Sequence, residues 1–421
     1  MAVLRNRDYW WSECQSERKN KLLLFLICPF LSFLYSLRNI HTRSTYKVIF
    51  YFTIFFGLCM VFNKDVRNDG KFHAYEFQKY EQKDFSQYER EVKSFFSKEN
   101  EEEIKDIFNI SIMYVVSRVT DNFHIYFFVI AIFYALLFMR VLKLFTAEEK
   151  FDKSWASYIL LYIFFIFQFN CINGVRFGLA AWIGIYCIFK IFRDKDKRYF
   201  LFALLTPLIH ASFVIYIGIL GLAYFSRKFE NVWFGLFILS FIFSEVSMQL
   251  LSSHIDIFPN FIAQWVNSYV HYEEWYQTEG SGFYWLSKLL QTTRRYYYVA
   301  MVFLLYKNSS LIKDNVKTKD LYLVTLVFFT IANFLSSIPS FNRFVSFCIP
   351  MIAYIWLVNF KGYKYDKFLI VYLFISIVHF KESFDVYKSL FDPCFFYSSP
   401  FYLIWKYAIN YTPITVDLLD N

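Results

Sequence analysis

Apolar residues occur in long segments along most of the chain, and short polar connectors separate one segment from the next. The segments of suitable length are 22–37, 47–62, 123–143, 154–169, 177–192, 199–225, 232–250, 284–306, 321–337, 343–360 and 368–384. An α-helix needs about 20 mainly apolar residues to cross a bilayer core, within a range of about 17–25. The pattern therefore predicts an all-α, polytopic membrane protein with about ten to twelve transmembrane helices.

The charge of the connectors predicts the orientation of these helices. Connectors rich in Lys or Arg are expected in the cytoplasm. They are 144–153, 193–198, 226–230, 307–320 and 361–367, whereas 170–176 and 338–342 are nearly uncharged. This assignment predicts that the two larger polar segments, 63–122 and 251–283, are loops on the outer side.

One candidate span, 199–225, does not fit a single crossing. Basic connectors flank it on both sides, it is unusually long, and Pro207 lies inside it. We therefore predict a broken helix, with two short helices meeting around Pro207–Ser212 and His210 at the outer end. Broken helices are tolerated at membrane depth where the freed backbone lines a cavity within the protein, which makes this bend a candidate site.

The predicted domain layout is a polar N-terminal tail at 1–21, one integral-membrane domain at 22–384 and an aromatic C-terminal tail at 385–421. The segment 22–37 is short and contains Pro29, so it either crosses the membrane or forms a tilted or re-entrant piece. The basic tail lies outside in the first case and in the cytoplasm in the second.

Composition supports the membrane class and excludes several functions. Hydrophobic residues make up 57% of the chain and charged residues 19%, with a mean hydropathy of +0.33, against about 45–50% and about 25% in soluble proteins. The net charge of +9 follows from basic connectors, so we expect no nucleic-acid partner. The cysteines are scattered without a CxxC pair, and we expect no metal site and no cofactor.

Ionisable residues at the ends of membrane helices are costly and are therefore candidate functional residues. Asn173 and Arg176 lie in one uncharged outer connector, and His210 and Ser212 lie at the predicted bend. Arg176 alternatively extends its charge to the membrane surface from a helix end. His210 alternatively is a hydrogen-bonded packing residue.

Two further clusters contain cations. Arg343, preceded by Asn342, begins a helix at the other uncharged connector. In the span 284–306, the spacing of three and four residues places one set of polar side chains on a single helical face, with Arg294 beside it. The residues on that face are Lys288, Gln291 and Arg295. An interfacial helix that contacts lipid headgroups is the alternative for this cluster.

Together these residues predict a basic cavity that faces outward. Arginine has a planar fork of donors that suits phosphate and diphosphate oxygens. Histidine is the side chain best suited to accept a proton near neutral pH. Such a cavity suits a reaction on a lipid diphosphate, in which arginines stabilise the leaving group and histidine activates an acceptor hydroxyl.

The stretch from Phe167 to Leu220 resembles the core of the EpsG-like (Wzy-type) polysaccharide polymerases. The similar features are a helix start with Asn and Arg, a basic cytoplasmic loop, and a His followed closely by Ser, and here they are Asn173, Arg176, Leu179, 195–198, His210 and Ser212. The helix start at Arg343 and the outer pair Asp69 and Tyr75 also resemble the family. The general layout is similar from about residue 45 to about residue 385.

The resemblance implies a multi-pass enzyme of the bacterial plasma membrane that polymerises repeat units of exopolysaccharide, capsule or O-antigen. Its implied substrate is an undecaprenyl-diphosphate-linked oligosaccharide, with membrane lipids, a flippase and a chain-length regulator as further partners. The implied catalytic residues are His210, Arg176 and Arg343. The substrate-binding residues that the resemblance implies are Asn173, Ser212, Asp69 and Tyr75. The charge and spacing of the other clusters add Lys288, Gln291, Arg294, Arg295 and Asn342 as predicted substrate-binding residues.

Two other functions remain open from the residues. One is a membrane glycosyltransferase that uses a lipid-phosphate sugar and an acidic base in the first outer loop, where Asp65 and Asp69 are candidates. The other is a flippase or transporter of the lipid-linked glycan, although the 11 Gly and 8 Pro are few for the interrupted helices of transporters.

Overall fold

The computed structural model describes residues 13–61, 69–96, 106–165, 172, 175–242, 284–337, 342–387 and 392–411. This part of the chain consists of helices and the connectors between them. No β-strand occurs within these ranges. The all-α prediction is therefore confirmed.

The chain divides into two compact units, each made of separate segments of sequence. The first comprises Met1–Ser154, Gln168–Trp182 and Ser383–Asn421, and the second comprises Trp155–Phe167 and Ile183–Glu382. The helices that lie in the first unit are α1 (Gln15–Ile27), α2 (Pro29–Ser36), α3 (Arg43–Leu58), α4 (Asp69–Tyr80), α5 (Phe85–Phe96), α6 (Ile107–Ser117), α7 (Phe123–Thr146) and the start of α9 (Arg176–Ile188).

The second unit contains α8 (Trp155–Phe165), the end of α9, α10 (Tyr199–Ala203), α11 (Thr206–Ile209), α12 (Phe213–Ser226), α13 (Glu230–Ile242), α14 (Tyr284–Lys307), α15 (Ser309–Lys313), α16 (Lys319–Phe334), α17 (Asn342–Phe347), α18 (Ile349–Asn359) and most of α19 (Asp366–Tyr387). Near the C-terminus, α20 (Pro400–Ile404) belongs to the first unit.

Close packing of α3 against α7 forms the core of the first unit. A Cβ added at Gly57 would lie 2.5 Å from Ala131 Cβ and 2.6 Å from the Phe127 carbonyl oxygen, so only glycine fits at this crossing. At the start of α7, Asn122 accepts a hydrogen bond from the His124 N–H at 2.8 Å and caps the helix. His124 is in turn 3.0 Å from the Leu58 carbonyl oxygen through Nδ1.

In the described part of the chain, one helix is both long and apolar enough to cross a membrane. It is α7, with 24 residues and a mean hydropathy of 2.4 over its most apolar stretch. Several other predicted spans are apolar but correspond to shorter helices. The number of crossings therefore remains a prediction.

Three of the predicted spans are interrupted in the structure. The apolar run 22–37 is broken at Cys28, which is extended (φ −160°, ψ 115°) just before Pro29, because proline restricts the residue before it. The run 343–360 is divided at Cys348, whose backbone stays in the helical region (φ −75°, ψ −18°) two residues before Pro350. The third break is at His210, where the sequence predicts it.

Helix α16 is buried along most of its length and packs against α12, α13 and α18 in the second unit. The side chains around it are mostly aromatic. The Tyr216 hydroxyl donates to the Gly184 carbonyl oxygen at 3.0 Å, and the Phe347 ring packs against the same glycine. Small residues thus allow large rings to fill this core.

Three basic connectors meet at one end of the second unit. Lys195 of the first connector pairs with Asp320 at 2.6 Å, and Arg227 of the second lies 3.7 Å from the same carboxylate. Lys313 of the third connector pairs with Glu230 of the second. These three connectors therefore lie at the same end of the second unit. This placement agrees with the positive-inside rule, because all three connectors are basic.

Candidate functional site

Arg176 is the first residue of α9 and is held by a buried acidic partner. Its Nη1 donates to Asp106 Oδ2 at 2.9 Å, and the two side chains are 23% and 3% exposed respectively. Arg176 makes no other hydrogen bond with the described residues. The guanidinium is thus fixed at one nitrogen while part of it remains accessible.

Asp106 has a second role as the N-cap of α6. Its Oδ1 accepts from the Asn109 N–H at 2.7 Å, and its backbone is extended as an N-cap requires. Both carboxylate oxygens are therefore engaged, one by a helix end and the other by Arg176. This arrangement fixes the carboxylate before any ligand binds.

Asn109 links the same site to two further helices of the first unit. Its Oδ1 accepts from the Tyr126 hydroxyl of α7, and its Nδ2 lies 3.4 Å from His73 Nδ1 of α4. All three side chains are buried. Because buried polar groups are costly unless hydrogen-bonded, this network specifies the relative positions of α4, α6 and α7.

Asp69 adds a second negative charge near Arg176. It begins α4 and is exposed. Burial lowers the pKa of Arg176, but the charge and hydrogen bond of Asp106 and the charge of Asp69 outweigh this effect, so the pKa is raised. The structure thus brings Asp69 close to Arg176, whereas the Tyr75 ring is occupied by Lys79, whose Nζ lies 4.1 Å from the ring centre.

The residue before Arg176 has an unusual backbone conformation. Val175 has φ 40° and is fully buried, and its N–H donates to the Ile172 carbonyl oxygen at 3.1 Å. A positive φ at a β-branched residue is a genuine outlier and costs about 1–3 kcal/mol. Such strain is typical of functional sites, and here it sets the direction in which α9 begins.

His210 lies at the predicted helix break, and the structure confirms that break. The residue is extended (φ −153°, ψ 115°) between α11 and α12. Its Nδ1 lies 2.7 Å from Ser212 Oγ and 3.3 Å from the Ser212 backbone N. Because the Ser212 backbone N–H can only donate, His210 Nδ1 accepts, and the proton of the neutral imidazole lies on Nε2.

The other cations of the predicted cavity belong to the second unit. Arg343 is exposed at the start of α17. Arg295 of α14 donates through Nη2 to Asn333 Oδ1, and at 2.8 Å to Ser336 Oγ. Asn173 and the side chains of Lys288, Gln291, Arg294 and Asn342 lie outside the described residues.

The candidate residues therefore form separate groups. Arg176 and Asp69 share one group in the first unit, whereas His210 and Ser212 form another in the second. A common site containing Arg176, His210 and Arg343 remains a prediction. Within the described ranges, no three His, Cys, Asp or Glu residues are arranged to hold a metal ion.

Sequence reasoning missed Asp106, the partner of Arg176. It also missed the buried network of Asn109, Tyr126 and His73 that adjoins Asp106. One signal was available, because an Asp directly before an apolar run is a common helix N-cap. That signal identifies a cap but does not indicate an ion pair with a residue 70 positions away.

The chain matches the model of the EpsG family over residues 74–399. None of the curated proteins or solved structures compared with the chain matches it. The matched region includes Arg176, His210, Arg343 and Asp106, while Asp69 and His73 precede it. Because this region is more than half of the 421 residues, the protein belongs to the EpsG family, a family of membrane proteins associated with polysaccharide biosynthesis.

Proposed function

We propose that the protein polymerises lipid-linked oligosaccharide repeat units at the outer face of the bacterial plasma membrane, which it crosses several times. The donor is a glycan on undecaprenyl diphosphate, and the acceptor is a sugar hydroxyl of the next lipid-linked unit. A flippase and a chain-length regulator would act in the same process. The observation that carries the proposal is the accessible Arg176 guanidinium, held in place by buried Asp106.

In the proposed reaction, the acceptor oxygen attacks the anomeric carbon of the donor glycan. The bond between that carbon and the diphosphate oxygen breaks, and the diphosphate leaves with the electron pair. His210 accepts the hydroxyl proton at Nδ1 by way of the Ser212 hydroxyl, which lies 2.7 Å from that nitrogen. Arginine donors stabilise the negative charge that develops on the leaving diphosphate.

The arginines contribute differently to this step. Asp106 and Asp69 offset much of the charge of Arg176, so this residue supplies directed hydrogen bonds rather than net positive charge. Arg343 is exposed and Arg295 has neutral partners, and these residues would supply the net charge. A diphosphate requires both features, because it presents several oxygens and more than one negative charge.

A second candidate is a glycosyltransferase that uses a lipid-phosphate sugar. The observation in its favour is the exposed carboxylate of Asp69, which is near enough to Arg176 to affect its pKa. In that reaction Asp69 would be the base and Arg176 would orient the phosphate. The two candidates therefore differ in which residue accepts the proton.

The deciding experiment is reconstitution of the purified protein with undecaprenyl-diphosphate-linked repeat units, with product length measured on a gel. We expect a ladder from the wild type, and a loss of about 10²–10³ in rate from Arg176→Lys, because lysine retains the charge without the planar fork. His210→Ala should cause a similar loss. Arg198→Lys is the control, because that side chain is 85% exposed and pairs only locally with Asp196.

The results separate the candidates clearly. A folded Asp69→Asn variant without activity, beside an active His210→Ala variant, would favour the second candidate. Normal ladders from both Arg176→Lys and His210→Ala at wild-type abundance would contradict the proposal. Movement of the lipid-linked unit across the vesicle membrane, without lengthening of the glycan, would identify the protein as a flippase.

A further inference from the structure

Arg295 is a half-buried cation with neutral partners. Its Nη2 donates to Asn333 Oδ1 and to Ser336 Oγ, and its guanidinium carbon lies 5.9 Å from the centre of the Phe241 ring. No carboxylate of the described residues pairs with it. The other partly buried arginine at a candidate site, Arg176, is by contrast neutralised by a carboxylate.

The polar groups around Arg295 are fixed by their own hydrogen bonds. Asn333 is fully buried, and its Nδ2 donates to Ser240 Oγ at 2.7 Å. The Ser336 hydroxyl donates to the Asn333 carbonyl oxygen at 2.7 Å. Three elements, α13, α14 and the end of α16, thus combine to hold one guanidinium in place.

Two features of Arg295 indicate that this arrangement is incomplete without a ligand. Its Nε is buried and has no hydrogen-bond partner, and Nη1 makes no hydrogen bond with the described residues. A buried donor without a partner costs about 1–3 kcal/mol, and more when the group is charged. An unpaired buried charge is also costly. An anion that accepts from the remaining donors would remove both costs.

We infer that Arg295, with Ser336 and Asn333 as its supports, forms a binding site for a phosphate-type oxyanion. Arginine suits such ligands because it presents several N–H donors in a plane. Ser336 accepts from Arg295 and donates its own proton to the Asn333 carbonyl oxygen, so it holds the guanidinium in position for the anion. The phosphate belongs either to a lipid diphosphate or to the headgroup of an ordinary phospholipid.

This inference rests on the proposed function in one respect, since that function already gives Arg295 part of the charge that faces the diphosphate. Its test measures binding without polymer formation, so the inference can fail while the proposed reaction stands, and the reverse. A variant of this site that loses phosphate binding, but is otherwise unchanged, would support the inference even if the protein makes no polymer.

The test uses the full chain purified in a neutral detergent, with thermal stability as the measure of binding. The probes are inorganic pyrophosphate, and separately phosphatidylglycerol added to the micelles. Sodium chloride at equal ionic strength controls for screening. We expect at least one probe to raise the melting temperature of the wild type in a saturable manner.

We expect Arg295→Gln to weaken the apparent affinity for that probe by about tenfold or more, since a charge-assisted hydrogen bond is lost. Ser336→Ala, a smaller change that retains the cation, should weaken it by a few-fold and covers the case in which Arg295→Gln does not fold. Arg198→Gln removes the same charge at an exposed position and should bind like the wild type.

The pattern of the two probes identifies the source of the phosphate. If only the stabilisation by pyrophosphate depends on Arg295, the ligand is a diphosphate. If the stabilisation by phosphatidylglycerol depends on Arg295, the site binds a lipid headgroup. The inference is overturned if neither probe stabilises the wild type, or if Arg295→Gln and Ser336→Ala bind both probes as tightly as Arg198→Gln does.

Discussion

The Asp106–Arg176 pair offers the sharpest test of the site, and Asp106→Asn is the informative change. The Asp106 side chain is 3% exposed, and both of its oxygens accept hydrogen bonds. Asparagine has nearly the same shape and is an equally good N-cap residue. The substitution therefore removes the charge and retains the cap of α6. Its effect reports mainly on the ion pair.

The expected magnitude follows from the burial of the two partners. Removing one member of a buried ion pair costs about 3–5 kcal/mol, because the other charge is left without a partner. Arg176 retains 23% exposure, so water compensates for part of this loss and we expect about 2–3 kcal/mol. Asp106→Ala should cost about 1 kcal/mol more, because the cap is also lost.

The assay is a double-mutant cycle on the detergent-purified protein, with unfolding followed by intrinsic fluorescence. Arg176→Gln combined with Asp106→Asn removes both charges and leaves two groups able to hydrogen-bond. We expect the double variant to be more stable than Asp106→Asn alone, with an interaction energy above about 1 kcal/mol. Additivity within about 0.5 kcal/mol would show that the two residues are not coupled and would refute this account of the site.

Four further outcomes are expected. Val175→Gly relieves the positive φ but removes a fully buried side chain, so we expect a lower melting temperature and a shorter polymer ladder. Gly57→Ala should lower stability by about 1–3 kcal/mol through overpacking, whereas Gly218→Ala, with open space around it, should not. Ser212→Ala should lower the rate and shift its pH dependence, because His210 Nδ1 loses the hydroxyl that lies 2.7 Å from it. Cysteine at position 195 should resist labelling from outside intact cells.

The fold class and the helix break could be predicted because their causes are local. Long apolar runs with few charges specify helices wherever they occur. At Pro207, two local signals agreed, since proline disrupts the helix and the flanking basic connectors forbid a single crossing. The structure accordingly places an extended His210 between two short helices. Resemblance of the Asn–Arg and His–Ser pattern likewise led to the correct family.

The length of individual helices could not be predicted from hydropathy. A window of about 20 residues averages over Cys28, where the backbone is extended before Pro29, and over Cys348, where one helix ends and the next begins. The same averaging concealed α6. That helix has 11 residues and lies in the polar segment 63–122, so its apolar character is diluted by its neighbours.

The partners of Arg176 could not be predicted for a different reason. Asp106 is 70 residues away in sequence, and pairing at that distance is decided by helix packing, which one sequence does not encode as a readable pattern. The contact between buried Asn109 and Tyr126 follows from the same packing, since it joins two different helices. Sequence patterns located the arginine, and tertiary contacts determine what it can do.

The contrast between Arg176 and Arg295 shows why that distinction matters for function. Both were predicted as cations of one basic cavity, and charge alone gives them the same role. Arg176 is compensated by a buried carboxylate, so it attracts an anion weakly at long range but directs its donors without reorganisation. Arg295 has amide and hydroxyl partners, so its charge remains uncompensated by the described residues and favours anion binding directly. Lysine at position 295 would therefore retain much of the attraction for an anion. Lysine at position 176 would lose more, because it lacks the directed hydrogen-bond donors of arginine.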